Sequence, residues 1–355
     1  MRAKQSFTPS QVKLDSTILL LLESISRRQG ELSVHKHSIQ EELEIESMAS
    51  VDAVHFSTKL EGNALSHEQV TQALRSQRVR AKARDLKEVL NYARTRRMLR
   101  AWSLKDKSFN DDLILRCHSE LLKGIVKGRL RGHYRNAQCV ITNSRTREII
   151  YLAPVAADVP KLMKGLLSWL RQQQASPLIL AAQFHFEFVT IHPFMDGNGR
   201  LARLLTNSIL LREGYDVERF AALEKQHEYN RSLYYEMLHT HQAANFYDIP
   251  LGQNISRWIV YWLECLLRCY DEALSRVRKL PSSVDSSLPP VLEARLKKAE
   301  ALFRQHVRLR AVEYGDLTGL GRTQAVEDLN KLVKAGILEH VGGGRSTYYR
   351  IRKNL

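Results

Sequence analysis

The chain has 355 residues, 44% hydrophobic and 26% charged, and its 54 Lys plus Arg against 38 Asp plus Glu give a formal net charge of +16. That length allows two or three domains of roughly 100–200 residues each. The apolar content, with only 17 Gly and 9 Pro, excludes a disordered or collagen-like polymer. The longest aliphatic run, Ile18 to Leu22, falls far short of the about 20 residues that cross a bilayer, so a soluble cytoplasmic protein with no membrane partner is expected. Cys117, Cys139, Cys265 and Cys269 form no CxxC pair and are expected as buried free thiols in a reducing compartment.

Apolar positions recur at three- and four-residue spacing through most of the chain, which predicts a mainly α-helical protein. A helix is expected from Glu46 to Leu60. Residues 71–100 carry ten Lys or Arg against Asp85 and Glu88, a net of +8 that reads as a solvated helix face. Residues 138–152 hold two β-rich runs around Asn143-Ser144-Arg145-Thr146, the pattern of a hairpin. Buried helices follow at Pro177 to Thr190 and Leu201 to Leu211. The Pro- and Ser-rich stretch 281–290 reads as a linker.

Beyond it, residues 291–355 carry thirteen basic and seven acidic residues, a net of +6. A helix near 291–306 is followed by a short helix, a turn at Leu320-Gly321 and a second helix from Thr323 to Lys334 with Val326, Leu329, Leu332 and Val333 inward. Gly336 stops that helix. Two strands, "ILEHV" and "STYYRI", then flank Gly342-Gly343-Gly344-Arg345. This order resembles the winged helix-turn-helix family. The resemblance implies DNA as a partner, with Arg322, Thr323, Gln324 and Asn330 toward the major groove and Arg345 in the wing. The alternative is a winged helix used for protein contacts or dimerisation, and a homodimer is among the assemblies it allows.

The chemistry concentrates in His192-Pro193-Phe194-Met195-Asp196-Gly197-Asn198-Gly199-Arg200, between the two buried helices. Pro193 ends the first helix, and the glycines permit a tight turn and close approach of a ligand. The start of the second helix offers unpaired N–H groups to a phosphate, and Arg200 and Arg203 extend that anion site. Asp196, the loop's lone carboxylate, suits Mg²⁺ shared with phosphate oxygens. His192, with an ordinary pKa near about 6.5, suits a general base. Nucleotide-dependent group transfer is the class these residues suggest. Other nucleotide motifs are missing: there is no GxxxxGK[ST] loop, and Gly319-Leu320-Gly321 lacks a third glycine. A zinc site from His227, His239 and His241 is disfavoured because HExxH spacing is lacking.

"HPFMDGNGRLAR", His192 to Arg203, resembles the HPFx[D/E]GNGRxxR signature of the Fic family of protein adenylyltransferases at every specified position. "RGHYR" at 131–135, "YLAP" at 151–154 and the hairpin at 138–152 are similar to the segment preceding that signature, and the likeness spans roughly residues 50–265. It implies a Fic-type helical core with a β-hairpin flap and transfer of AMP from ATP to a Ser, Thr or Tyr hydroxyl of a protein, self-modification included. His192 would be the base and Asp196 the Mg²⁺ ligand. Gly197, Asn198, Gly199, Arg200, Leu201, Ala202 and Arg203 would hold the nucleotide, with Tyr235 and Glu61 as further contacts. On this reading residues 1–110 form an N-terminal helical region, 111–280 the catalytic core, 281–290 the linker and 291–355 the winged helix.

"STKLEGN", from Ser57, resembles the [S/T]xxxE[G/N] inhibitory motif of the same family through Ser57, Glu61 and Gly62. It implies autoinhibition in cis, with the Glu61 carboxylate paired in bidentate fashion to Arg203 where the γ-phosphate would sit. Two other readings remain: a DNA-binding regulator whose nucleotide site only senses ligand, and a transferase of the same fold that moves another phosphate-containing group.

Overall fold

The computed structural model describes residues 7–35, 39–105, 109–142, 148–172, 175–279, 289–305, 309–335, 337–343 and 347–351. Two compact units result: residues 1–33 with 49–274, and residues 34–48 with 275–355. Residues 1–110, expected as an N-terminal helical region, thus cluster with the expected catalytic core, apart from residues 34–48. Most of the 281–290 linker lies outside the described residues.

The helices run in the order α1 (Ser16–Val34), α2 (Ile39–Leu60), α3 (His67–Leu74), α4 (Ala83–Ser103), α5 (Asp111–Leu121), α6 (Val159–Gln172), α7 (Pro177–Ile191), α8 (Asn198–Arg212), α9 (Leu223–Tyr229), α10 (Arg231–His239), α11 (Ser256–Arg278), α12 (Pro290–Gln305), α13 (Ala311–Thr318) and α14 (Arg322–Lys334). In the first unit α7 and α8 form the centre. α7 begins with Pro177, whose missing N–H costs nothing at a helix start, and nearly every residue from Leu178 to Ile191 is buried. A helix apolar all round belongs in the middle of a core rather than on its surface. α8 packs on α7, with α4 and α5 against it, and is buried from Arg200 to Leu210. The hairpin falls where expected, with β1 (Val140–Thr142) antiparallel to β2 (Ile149–Leu152) and Ile141 opposite Tyr151. Its turn, including Asn143 to Thr146, lies outside the described residues. All four cysteines are buried and free.

In the second unit α12, α13 and α14 are followed by β3 (Leu338–Val341) antiparallel to β4 (Tyr348–Ile351). Leu309 adds a bridge to Tyr349. Leu292, Leu296, Leu309, Tyr314, Leu329, Leu332 and Leu338 form its core together with Leu43. Leu329 and Leu332 are buried as expected, whereas Val326 and Val333 are only half-buried and Ala325 takes the inner position. Gly319 closes α13 in the left-handed conformation that glycine adopts without penalty. Arg322, Thr323, Gln324 and Asn330 are exposed, and Asn330 Oδ1 accepts from the Tyr349 hydroxyl at 3.4 Å. Gly336 and Arg345 lie outside the described residues. Among the described residues no helix is long and apolar enough to cross a membrane.

Candidate active site at the start of helix α8

His192 caps α7 in a left-handed conformation, with φ of 50°. Its Nδ1 lies 3.2 Å from the Val189 carbonyl. A carbonyl only accepts, so Nδ1 carries the proton and Nε2 keeps its lone pair. Burial, assisted by the Arg135 guanidinium, pushes the imidazole pKa down to about 4, against the opposing pull of the Val189 carbonyl. The ring is therefore neutral at pH 7, the state a general base needs.

The loop after His192 is tied down from three sides. Asn198 Oδ1 accepts from the Phe194 N–H at 3.0 Å, and its Nδ2 donates to the Phe194 carbonyl at 2.8 Å. Arg135, only 4% exposed, donates through Nε to the His192 carbonyl at 2.9 Å and through Nη2 to the Pro154 carbonyl at the foot of the flap. His118 stacks on Phe194 with ring centroids 3.7 Å apart. The Gly132 N–H donates to its Nδ1 at 3.0 Å, so Nε2 carries the proton and donates to the Asp196 carbonyl at 3.1 Å. Gly197, with φ of 82°, then turns the chain into α8.

α8 begins at Asn198 rather than at the expected Leu201, so Gly199 and Arg200 lie in its first turn. Two low-propensity residues, Asn198 and Gly199, hid this start from a periodicity argument. Arg200 Nη2 donates to Asp196 Oδ1 at 2.8 Å. Its Nε and Nη1 have no hydrogen-bond partner although the residue is 3% exposed, and Nη1 stands 3.7 Å from Glu88 Oε1. Buried guanidinium donors without partners are able to receive acceptor oxygens. Leu201 and Ala202 are fully buried, so only their backbone can serve a nucleotide.

Arg203, 2% exposed, is held chiefly by the end of α2. Its Nε donates to Ser57 Oγ at 2.8 Å, and its Nη2 donates to the Ser57 carbonyl at 2.9 Å and to Glu61 Oε1 at 2.8 Å. The expected bidentate Glu61 pair is thus corrected to a single hydrogen bond: Ser57 takes Nε and shares Nη2, while Nη1 faces the Tyr234 hydroxyl. Burial opposes ionisation of Glu61, but Arg203 and Arg200 more than offset it and hold its carboxyl below the usual range. A Cβ at Gly199 would collide with Glu61 Oε1, so the glycine lets the carboxylate lie against the first turn of α8. The Tyr235 hydroxyl and Arg231 Nη2 both donate to the Leu60 carbonyl, at 3.0 and 2.7 Å. Tyr235 therefore anchors the end of α2, and Gly62, with φ of 89°, turns the chain away. Tyr234 rather than Tyr235 faces Arg203, with its hydroxyl 3.5 Å from Nη1 and 3.0 Å from His185 Nε2.

His192, Asp196, residues 197–203, Ser57 and Glu61 thus meet in one site of the first unit. Sequence reasoning missed His118, Glu88, His185 and the clamp role of Arg135. Arg135 stood inside the "RGHYR" match, whereas a lone His118 on an apolar helix carries no signal. No group of three or more His, Cys, Asp or Glu among the described residues could hold a metal. Asp196 is one-third exposed, with its two oxygens facing Arg200 at 2.8 Å and Arg84 at 3.5 Å, and on release from Arg84 it would offer one carboxylate oxygen to Mg²⁺, which takes its remaining ligands from water and phosphate.

Helical core, flap and this loop define a Fic-type site, and residues 108–210 match the Fic/DOC family model. The chain thus contains a Fic domain over residues 108–210. It is 32% identical over 213 residues to the protein adenylyltransferase Fic of Aedes aegypti, covering 58% of this chain and 39% of that protein. The protein of the same name from Nematostella vectensis is 31% identical over 194 residues, covering 52% and 41%. The chain therefore spans about two-fifths of the curated relatives it matches. A Fic family protein from Desulfovibrio desulfuricans G20 shares the fold, with a TM-score of 0.64 at 23% identity over 98% of this chain and 99% of that one. Fic-1 from C. elegans also shares it, with a TM-score of 0.57 at 24% identity over 74% and 73%.

Proposed function

We propose that this chain is a protein adenylyltransferase, restrained in cis by Glu61, that moves AMP from ATP to a Ser, Thr or Tyr hydroxyl. The observation that carries the reading is the buried Arg200 guanidinium, with two nitrogens unsatisfied at the first turn of α8 and a neutral imidazole at the end of α7. The helix start and Arg200 receive phosphate oxygens. Nε2 of His192 takes the hydroxyl proton as that oxygen bonds to the α-phosphorus. The bond from the α-phosphorus to the bridging oxygen breaks and pyrophosphate leaves. Mg²⁺, held by Asp196, neutralises phosphate charge when bound. The Glu61 carboxylate occupies the face of Arg203 that a γ-phosphate needs, which favours an unreactive nucleotide pose.

Purified protein incubated with Mg²⁺ and ATP tests this by intact mass. The Glu61→Gly protein gains the mass of AMP faster than wild type, and His192→Ala abolishes the gain in either background. A gain of AMP mass that survives His192→Ala would overturn the base assignment. DNA as an accessory partner of residues 291–355 is favoured by the exposed Arg322, Thr323 and Gln324 on the first turn of α14.

A further inference from the structure

Seven of the ten basic residues of 71–100 fall into two groups, apart from Arg84, Lys87 and Arg97. Arg94 pairs with Glu120, Arg96 with Glu218 and Arg100 with Asp216, so these cations tie α4 to α5 and to the segment between α8 and α9. Arg75, Arg78, Arg80 and Lys82 instead stand exposed on the segment between α3 and α4, and none pairs with a carboxylate among the described residues. Lys82 is the N-cap of α4 and makes no side-chain cap. A cation there opposes the helix dipole and forgoes the usual capping bond, so the fold gains nothing from it.

This segment abuts the catalytic loop. Two residues after Lys82, Arg84 Nη2 reaches Asp196 Oδ2 at 3.5 Å. On its other side the loop meets residues 127–132 through the chain Asp196 carbonyl, His118, Gly132 N–H. Arg129 on that segment is likewise exposed and without a carboxylate partner. Lys87, donating to the Gly124 carbonyl at 3.1 Å, joins the two arms. Both basic segments thus connect to the catalytic loop at Asp196, one through Arg84 and the other through His118 and Gly132, and the neighbouring Met195 is exposed. These cations are solvated, unlike the buried Arg200 and Arg203.

We propose that this rim docks an acidic segment of the protein target beside the hydroxyl to be modified, an inference that rests on the adenylyltransferase reading. Charge complementarity names the occupant: exposed guanidiniums without partners attract carboxylates and set register and on-rate. Neither arm, "RSQRVRAK" nor "KGRLRG", contains an aromatic residue, so the stacking platform that single-stranded nucleic acid uses is absent from the rim.

The test measures fluorescence anisotropy of labelled peptides with one Thr flanked by Asp and Glu, by neutral residues or by Lys, against the full-length chain. The acidic peptide binds at least about tenfold tighter than the neutral one, weakens with added salt, and loses about tenfold in the R78E/R80E/K82E variant. A second variant, K127E/R129E, gives the same loss and guards against a local folding artefact in the first. In the Glu61→Gly background either variant raises KM for the acidic peptide while kcat and self-modification stay unchanged. Equal binding of acidic and neutral peptides, or no effect of either variant, overturns the rim proposal. A single-stranded oligonucleotide that outcompetes the acidic peptide overturns it in favour of nucleic acid. Loss of self-modification in Glu61→Gly itself speaks against the adenylyltransferase reading, and the anisotropy arm still decides the rim.

Discussion

Replacing Glu61 by Gln separates charge from volume in the contact that restrains Arg203. The wild-type contact is one charge-assisted hydrogen bond of 2.8 Å from Arg203 Nη2, with the Glu61 side chain 30% exposed. Buried hydrogen bonds to charged groups contribute about 1.5–3 kcal/mol, and solvent screening at this exposure reduces that to about 1–2 kcal/mol. Gln keeps the shape and can still accept from Nη2, but without the charge. If the pair sets the population of the reactive pose, its weakening multiplies the self-modification rate by about 5–30. Time-resolved intact mass at saturating ATP reads this rate, and Glu61→Gly should exceed it because the carboxylate's volume is also removed. The reasoning is refuted if Glu61→Gln matches wild type while Glu61→Gly is fast. The brake would then act by filling space against Gly199 and not by charge.

The depressed pKa of His192 makes a pH prediction with a definite sign. A base is active when unprotonated, so the Glu61→Gly rate should be flat from about pH 6 to 8 and fall only as pH drops toward about 4. A pH–rate profile with its acid limb at the ordinary histidine value near about 6.5 would contradict the burial argument. His118→Ala removes a stacked ring, one donor and one acceptor from a residue that is 1% exposed. It should cost about 2–4 kcal/mol by denaturant titration and slow AMP transfer, because the Asp196 carbonyl loses its partner.

The catalytic loop was legible because its chemistry demands rare residue types in a fixed order: a histidine ending one helix, glycines at tight turns and arginines in the first turn of the next. The helical core was legible from apolar spacing along most of the chain and from the apolar weight of α7, although that helix also buries Gln183, His185 and Glu187. What escaped depends on three-dimensional neighbours. Nothing in sequence says that Ser57 presents both its hydroxyl and its carbonyl to Arg203, which reduces the Glu61 contact to one bond. Asn198 belongs to the signature, yet its side chain closes the loop on Phe194. Residues 34–48 cluster with the C-terminal unit because hydrophobic spacing reveals which face is buried and never against what. The basic excess of 71–100, read as one solvated face, proved divided by which carboxylates the fold brings within reach.

The left-handed backbone at His192 has a consequence of its own. A residue with a Cβ held at positive φ costs about 1 kcal/mol relative to relaxed geometry, and histidine is among the types that tolerate it best. Glycine at this position would remove that cost along with the base. The inactive His192→Gly chain is therefore expected to recover some of the stability lost with the buried ring. The left-handed main chain at His192 is thus a small cost to thermal stability that the adenylyltransferase reading would explain by the need to aim the imidazole.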